Sequence, residues 1–539
     1  MLFRSMGLLW LDRRRLRWFA GTAGLGVLLS AFWVVPFLLN HAYMTDMKYK
    51  GEPGNGSFSS YWGMFFALPP FWNVFFLTFA VVGFVAVLVR RHTAGVWVGL
   101  MGLVFASFVY LFNDSLPVIG LLWNPRLLPM LNMCRYLLAA VGIVEFVHAG
   151  VRLAQYERLS RRINPIRVDD DPRSERAFFT ARTATAIGAF VVALVCLGFR
   201  FQVLPMGNVL TKGNESMYSW GPFQTKAGNK GFVDGWARWN FSGYQGRAAY
   251  GEYYGVVQTM KRLGEDRGCG RALWENYSGN DKYGTTMALM LLPFWTDGCI
   301  ASSEGLFFEA SGTTPYHFLA AGALSKQSSN PVRELRYVNN DASVGVPYAR
   351  ALGIRYYLAV TPEAQREADK VEADGGGLVR IATSGPWKIY EISGSDIVTG
   401  LDTEPVVVRR RGGDQRERWL EVGTSWLQNR EDWPALPADD GPKSWSRIDV
   451  AVDMARREGE PGSDSRKVDI VAAEQPIAAV SVRPAAVSNV VLKEQSVSFD
   501  VDRTGSPVLV RVSYFPNWHA SGAFGPYRVA PNMMVVVPT

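Results

Sequence analysis

The sequence predicts a polytopic α-helical membrane module of about five transmembrane helices, followed by an extracytoplasmic α/β domain and an extracytoplasmic β-sandwich. Three observations predict this class. Long apolar stretches are confined to residues 1–205, helix and strand patterns are mixed over 206–400, and short valine-rich strands separated by Gly, Pro and Asn follow over 401–539. Hydrophobic residues make up 48% and charged residues 19% of the 539 residues, which is too apolar for disorder and too polar for a chain lying wholly in a bilayer.

The composition excludes several classes of function. The four cysteines and five histidines show no metal-ligand spacing, which argues against a zinc ribbon, a zinc hydrolase or a disulfide scaffold, and we expect neither a metal nor a cofactor. The net charge of +8 comes from basic residues beside the apolar segments. We therefore expect membrane lipid, and not nucleic acid, as the partner of this charge.

Five stretches approach the roughly 20 apolar residues that a membrane-crossing helix needs. They run over 18–39, 71–89, 94–112, 131–151 and 183–199. The first is too long for a signal peptide and lacks a small-residue cleavage site, so it predicts a retained helix. The fourth contains Arg135 and Glu145, and the fifth is the shortest.

Basic residues in the connecting loops predict the orientation. Fifteen Arg residues lie in the N-terminal segment and in the loops after the second and fourth stretches, whereas loops 40–70 and 113–130 hold only Lys48, Lys50 and Arg126. Because basic loops remain on the cytoplasmic side, the N-terminus is predicted to be cytoplasmic and residues after about 205 to be extracytoplasmic. The two outer loops are rich in aromatic residues and proline, which is typical of interfacial anchoring belts or of a platform for a lipid-linked substrate.

Two regions follow the membrane module. In the α/β region, residues 253–262 and 362–372 have helical spacing, and 355–360 and 387–392 read as strands. In the β-sandwich region, strands are predicted over 405–409, 496–502, 507–514 and 533–538, and the polar stretch 411–468 is predicted to be exposed loops around a short element. Cys269 and Cys299 both lie in the oxidising compartment, so we expect a disulfide worth about 3 kcal/mol.

A membrane-embedded sugar transferase needs a carboxylate at the outer face to take the proton of the acceptor hydroxyl. Asp46 follows the first helix and is the first candidate, and Glu52 and Asp114 are alternatives in the same compartment. An ordinary solvated loop acid is the competing interpretation, because most loop carboxylates are unperturbed.

Other residues suit substrate binding. Arg126 and Arg135 flank the end of the second outer loop, where guanidinium groups can hold a phosphate or contact lipid headgroups. Trp236 and Trp239 belong to an aromatic stretch over 220–254 that suits either sugar binding or an ordinary core. The run 304–318 offers Glu309 and His317 without any known catalytic motif.

Glu145 and His148 lie three residues apart and share a face of the fourth helix. Ionisable groups within a membrane segment suggest function, here a proton relay. Both residues lie near the cytoplasmic end, where a polar side chain reaches the interface at little cost, so a structural role competes with the relay.

Several runs carry a family resemblance. They are Ala31–Leu39 with Thr45–Met47, Trp123–Pro129, Leu291–Gly298, Glu304–Phe318, Leu352–Tyr357 and Ser513–His519. Together they resemble the actinobacterial membrane proteins described as 6-pyruvoyl-tetrahydropterin-synthase-related, which are similar to GT-C glycosyltransferases of the cell envelope. Pterin synthase chemistry needs a histidine zinc site, and the scattered histidines argue against it.

The resemblance implies an envelope protein that transfers sugar from a polyprenyl-phosphate donor. Members of the family are longer at both ends, so it also implies that this chain is a C-terminal portion, with which the ending in mid-strand agrees. Asp46 would then lie in a later outer loop than the one that carries the catalytic acid of GT-C enzymes. Two alternatives remain open: a non-catalytic envelope protein that binds glycan or a partner, and a transporter of lipid-linked sugar.

Overall fold

The structure of the chain is a computed structural model that describes residues 13–45, 65, 70–90, 92–111, 124–160, 187–199, 201–212, 215–227, 243–305, 311–328, 330–332, 334–409, 413–458 and 467–539. The chain forms two compact units. Unit one comprises residues 1–18, 50–116 and 124–243, and unit two comprises residues 19–49, 117–123 and 244–539. The segment that follows the first apolar helix therefore belongs to the same unit as the C-terminal region.

Five apolar helices lie in the N-terminal region of the described chain. They are α1 (Arg13–Asn40), α2 (Pro70–Val89), α3 (Thr93–Ala106), α4 (Leu128–Ser160) and α5 (Ile187–Phe199). Four spans, Ala20–Tyr43, Phe71–Val89, Thr93–Leu111 and Leu128–Gly150, are long and apolar enough to cross a membrane. These confirm four of the predicted stretches. The fifth, α5, is a shorter apolar helix. At 1.5 Å per residue it is about 20 Å long, whereas the hydrocarbon layer of a membrane is about 30 Å thick.

Helices α2 and α4 of unit one pack closely through small residues. A Cβ atom on Gly83 would collide with the Leu138 carbonyl, and one on Gly142 would collide with the Phe79 carbonyl. Glycine lets two membrane helices approach to backbone contact, where dispersion forces are strongest. Unit one also contains an antiparallel meander of β1 (Asn208–Lys212), β2 (Glu215–Trp220) and β3 (Phe223–Lys226).

The first sheet of unit two has the strand order β5-β4-β6-β8-β7. Its strands are β4 (Gly270–Trp274), β5 (Ile300–Ser302), β6 (Ile354–Ala359), β7 (Leu378–Ser384) and β8 (Trp387–Ile392). Strand β4 pairs parallel with β5 and β6, and the β6-β8-β7 edge is antiparallel. The associated helices are α6 (Tyr250–Arg267), α7 (Leu292–Trp295), α8 (Thr314–Ala323), α9 (Ala342–Ala351) and α10 (Pro362–Ala373). The predicted helices and strands of this region are confirmed to within a few residues at each end.

The second sheet of unit two has seven strands, in the order β12-β10-β11-β18-β19-β17-β9. They are β9 (Val398–Gly400), β10 (Val406–Val408), β11 (Pro437–Ala438), β12 (Arg447–Ile448), β17 (Val508–Val510), β18 (Ala523–Val529) and β19 (Met533–Pro538). Strand β10 pairs parallel with β11 and β12, and helix α11 (Gln415–Gln428) forms the crossover from β10 to β11. Two ribbons accompany the sheet: β13 (Val450–Val452) with β14 (Val471–Ala473), and β15 (Val487–Lys493) with β16 (Ser496–Val501). A short helix α12 (Met454–Glu458) follows β13.

Two expectations for the C-terminal region need correction. The described strands of 401–539 form one mixed sheet with two ribbons rather than the two packed sheets of a β-sandwich, because α11 and the first sheet share a core with this sheet, and the partners on it otherwise are two-stranded ribbons. The stretch 411–468 is not merely exposed loops. It holds α11, whose buried residues Trp419, Val422 and Leu427 are separated by charged ones, so that the average composition hides an amphipathic helix.

The core of unit two is continuous across residue 400. Tyr357 and Tyr390 of the first sheet belong to the same buried cluster as Val529 and Val535 of the second sheet. The boundary predicted at 400 and 401 therefore crosses a shared hydrophobic core, which both sheets and the helices beside them build.

Candidate functional site

The candidate site lies in unit two, where the end of the first apolar helix meets the C-terminal region. Helix α1 ends at Asn40 and continues as a 3-10 turn, His41–Tyr43. Thr45 follows this turn and is buried, and its hydroxyl donates a hydrogen bond to the Ser311 carbonyl at 2.5 Å. This bond ties the segment after α1 to the loop that precedes α8.

Asn532 is the centre of a buried hydroxyl cluster beside this contact. Its side chain is fully buried, and its Nδ2 donates to the Thr313 and Ser513 hydroxyls at 3.1 Å each. The Ser513 hydroxyl also lies 2.7 Å from that of Thr313 and 3.0 Å from that of Ser311. Four polar side chains from three chain segments therefore form one connected network, which fixes their mutual geometry.

Arg528 completes the site and is the side chain with a formal charge among those described residues that form it. Its Nε donates to Asn532 Oδ1 at 2.7 Å, and its guanidinium lies over the Trp419 ring at 4.7 Å and the Tyr43 ring at 5.3 Å. Arg528 is 5% exposed, and burial lowers its pKa to about 10, so it remains cationic at neutral pH. Its Nη1 is buried without a hydrogen-bond partner.

The site offers donor groups to an acceptor. Two contacts link the hydroxyls of Ser311, Thr313 and Ser513, each of which can donate one hydrogen and accept two hydrogen bonds. The Arg528 Nη1 is buried and has no hydrogen-bond partner among the described residues. A buried donor with a positive charge suits an anionic acceptor.

A second polar pair is formed by Glu304, which follows β5, and His317 of helix α8. Glu304 Oε2 is 3.9 Å from His317 Nε2, and both side chains are buried. Burial raises the pKa of Glu304 to about 7. Burial, together with the charge of Arg271, lowers the pKa of His317 to about 4. At neutral pH the imidazole is therefore neutral, and neither of its ring nitrogens has a hydrogen-bond partner.

Glu275 lies at the edge of the first sheet where α/β sheets ordinarily bind ligands, outside the carboxyl ends of the parallel strands. It follows β4, and its Oε2 accepts hydrogen bonds from the backbone N–H groups of Val360 and Thr361 at 2.8 Å each. Its Oε1 accepts from the Thr361 hydroxyl at 2.6 Å. The fully buried carboxylate thus fastens the end of β4 to the end of β6.

A cavity of about 490 Å³ lies beside α11. Its apolar walls come from valines of β10, β13, β14 and α11 together with Trp419, and its polar lining includes Arg409, Arg418, Glu421 and Asp439. Such a mixture of apolar wall and a few polar groups is typical of small-molecule sites.

Five residues predicted from the sequence to act on substrate lie outside the described part of the chain. They are Asp46, Glu52, Asp114, Trp236 and Trp239. Their proposed roles in proton transfer and sugar binding stay predictions. Asp46 follows Thr45 directly in the sequence, and Thr45 is a member of the candidate site.

The two predicted phosphate ligands, Arg126 and Arg135, belong to unit one. Arg126 lies in a 3-10 turn, Asn124–Leu127, and is exposed. Arg135 is buried in α4, donates to the Phe65 carbonyl at 3.1 Å and the Tyr136 hydroxyl at 2.9 Å, and lies over both of their rings. Both Nη groups of Arg135 therefore bond to residues of unit one.

Other sequence candidates have structural partners. Cys269 and Cys299 form a disulfide with a Cα–Cα distance of 4.6 Å, joining the end of α6 to β5. Glu145 forms an ion pair with Arg90 at 2.5 Å. In the aromatic stretch, Tyr253 is buried in the core. A core role accounts for it better than sugar binding.

Sequence reasoning missed the residues that define the site. Arg528, Asn532 and Ser513 are far from the predicted catalytic loops in the sequence and match no motif. The only signal was indirect: the runs Thr45–Met47, Glu304–Phe318 and Ser513–His519 resemble one family, and described residues of all three meet here. Comparison of the chain with protein-family models, curated proteins and solved structures found no match.

Proposed function

We propose that this protein is an integral membrane protein of the cell envelope, similar to GT-C enzymes, that transfers a sugar from a polyprenyl-phosphate donor at the outer face of the membrane. In this proposal the N-terminus is cytoplasmic and the five apolar helices cross the membrane. Unit two's sheets then lie outside, and the candidate site lies at the membrane surface, where a lipid-linked donor presents its phosphate.

The observation that carries this proposal is the docking of the segment after α1 onto the buried polar cluster. Thr45 binds the Ser311 carbonyl, and Tyr43 lies over Arg528. The chain thus leaves a membrane-length helix, enters a site with a buried cation, and continues directly into Asp46. Sugar transfer from a phosphate needs a carboxylate base and a cation, and Asp46 and Arg528 are proposed for these two roles.

The proposed reaction balances with these groups. An acceptor hydroxyl attacks the anomeric carbon, a new C–O bond forms, and the bond from that carbon to the phosphate oxygen breaks. The hydroxyl proton passes to the Asp46 carboxylate, and the electron pair leaves with the polyprenyl phosphate, which gains one negative charge. A nearby guanidinium interacts more strongly with this product-like charge than with the donor, so it lowers the barrier.

The disulfide supports the proposed orientation. Disulfides persist in oxidising compartments and are rare in the cytosol. The bond between Cys269 and Cys299 lies in unit two and fits placement of its sheets outside the cytoplasm.

The test is sugar transfer from radiolabelled polyprenyl-phosphate sugars in membranes that contain this chain. We expect Asp46→Asn to lower transfer by about 100-fold or more, because a general base contributes about 10²–10⁴ to the rate. Asp500→Asn, at an exposed carboxylate of β16, is the matched control and should retain full activity. Equal transfer by wild type and Asp46→Asn, or no transfer by either, contradicts the proposal.

A non-catalytic envelope protein that binds glycan is the second candidate, and the cavity beside α11 favours it. The indole of Trp419 and the polar groups of Arg409, Arg418 and Asp439 offer an aromatic surface and hydrogen-bonding partners for sugar hydroxyls. Glycan binding that Arg418→Ala abolishes, in a chain without transfer activity, supports this candidate over the enzyme.

A further inference from the structure

Arg528 has an unusual combination of burial, stacking and an unused donor. Its guanidinium carbon lies over the Trp419 ring at 4.7 Å and over the Tyr43 ring at 5.3 Å. Its Nε donates to Asn532 Oδ1 at 2.7 Å. Its Nη1 is buried and has no hydrogen-bond partner among the described residues. A buried charged donor left unpaired is costly, which makes the site receptive to an acceptor.

Arg528 has no carboxylate partner at salt-bridge distance among the described residues. The groups that act on it electrostatically are Tyr316, Asp439, Tyr43 and Tyr514. Asp439 is the acidic member of this group, and its backbone N–H donates to the Arg528 carbonyl at 2.9 Å. A buried arginine is normally paired, so a guanidinium with no carboxylate bonded to it among the described residues suits an anionic ligand as its counter-charge.

We propose that Arg528, with the adjoining hydroxyls of Ser311, Thr313 and Ser513, binds the phosphate of a polyprenyl-phosphate lipid, an inference that rests on the proposed function. Phosphate oxygens are acceptors only, and they match both the planar edge of a guanidinium and a hydroxyl hydrogen. Arg528 is a phosphate ligand additional to Arg126 and Arg135, whose role in phosphate binding stays a prediction.

The position of the site fits this ligand. Tyr43, whose ring centroid lies 5.3 Å from the Arg528 guanidinium carbon, is the last residue of a span long enough to cross a membrane. A lipid phosphate lies at the same level as the end of such a helix, whereas a soluble phosphate has no reason to be there. Tyr43 and Thr45 thus hold the first helix against the group that would receive the lipid headgroup.

The test measures binding to the full chain in nanodiscs with three probes: polyprenyl phosphate, phosphatidylglycerol and inorganic phosphate. We expect Arg528→Lys and Arg528→Gln to weaken polyprenyl-phosphate binding by about tenfold or more, the usual loss for one charge-assisted hydrogen bond. Arg430→Lys is the matched control. Arg430 also has a lowered pKa of about 10 and lies over Trp426 at 4.4 Å, but it lies outside the site.

Unchanged polyprenyl-phosphate binding by both Arg528 variants, or an equal loss in Arg430→Lys, overturns the inference. Equal binding of phosphatidylglycerol also overturns it, since the site would then hold any anionic lipid. Tight binding of inorganic phosphate through Arg528, without binding of the polyprenyl lipid, assigns the site to a soluble phosphate and likewise overturns the lipid assignment.

A second readout does not depend on the variants folding. The second pKa of a phosphate monoester, about 6 in water, falls when a cation binds the dianion. A ³¹P NMR titration of polyprenyl phosphate with the wild-type chain should show this decrease, and an unchanged value refutes the inference. Binding through Arg528 without any sugar transfer would refute only the proposed function, whereas transfer with an unchanged donor KM in Arg528→Lys would refute only this inference.

Discussion

The pair of Glu304 and His317 should make two single variants depend on pH in opposite directions. In the folded chain the pKa of Glu304 is about 7 and that of His317 is about 4, so at pH 5.5 the pair holds one proton, on Glu304. In the unfolded chain, with ordinary values of 4.5 and 6.5, the pair also holds one proton, on His317. Because both states bind the same number of protons, the pair adds no pH dependence to wild-type stability between about pH 4.5 and 6.5.

Each variant exposes the contribution of the remaining partner. In His317→Gln, the folded state binds more protons than the unfolded state, so stability is present below pH 4.5 and is lost as pH rises towards 7. In Glu304→Gln, the unfolded state binds more protons, so stability is present above pH 6.5 and is lost as pH falls towards 4. Each difference corresponds to about 3 kcal/mol at 1.36 kcal/mol per pH unit, and burial of both side chains leaves little solvent screening.

The assay is urea unfolding of the purified full chain in detergent, followed by tryptophan fluorescence at pH 4.5, 5.5 and 6.5. The free energy of unfolding of each variant is compared with that of wild type at the same pH. Glu363→Gln, at an exposed ion pair with Lys326, is the control and should follow wild type. Parallel pH profiles for the two variants would refute the reasoning, because they would show that burial does not shift the two groups in opposite directions.

Three further changes have expected outcomes. Cys299→Ser should lower the free energy of unfolding by about 3.5 kcal/mol, since the disulfide closes a separation of 30 residues, and reductant should destabilise wild type equally in the same urea assay. Glu275→Gln should cost about 2 kcal/mol through weaker bonds to the two backbone N–H groups, measured by thermal melting, and no change would contradict the anchoring role. Gly142→Val should cost about 1–3 kcal/mol by forcing α4 from α2, whereas Gly150→Val, which faces open space, should melt like wild type in detergent.

Local pattern was enough to locate much of the fold. The charge-free stretch 71–89 and the helical spacing of 362–372 became α2 and α10, because apolar length and periodicity act within a single element. The strands predicted over 387–392 and 533–538 were also found, because strand propensity is likewise a property of contiguous residues. The amphipathic helix α11 was not predicted from the sequence, because its buried residues Trp419, Val422 and Leu427 lie among charged residues in a stretch of polar average composition.

Local sequence patterns could not predict the candidate site. Asn532 and Thr313 are 219 residues apart, and Arg528 and Tyr43 are farther apart still, yet they contact each other. Nothing in the neighbours of Arg528 along the chain distinguishes it from other arginines. Its character comes from the rings and the amide that fold around it, and from the burial that leaves Nη1 without a partner.

By itself the sequence determined that this chain has apolar helices of membrane length, followed by a mixed helix and strand region, because length, hydrophobicity and periodicity are properties of contiguous residues. It also indicated the pair Cys269 and Cys299. Tertiary structure alone decided that one core joins the two sheets, that Glu275 fastens β4 to the end of β6, and that Arg528 lies beside the end of α1. These depend on which distant surfaces bury each other, and the free energy of that burial is not encoded in any single segment.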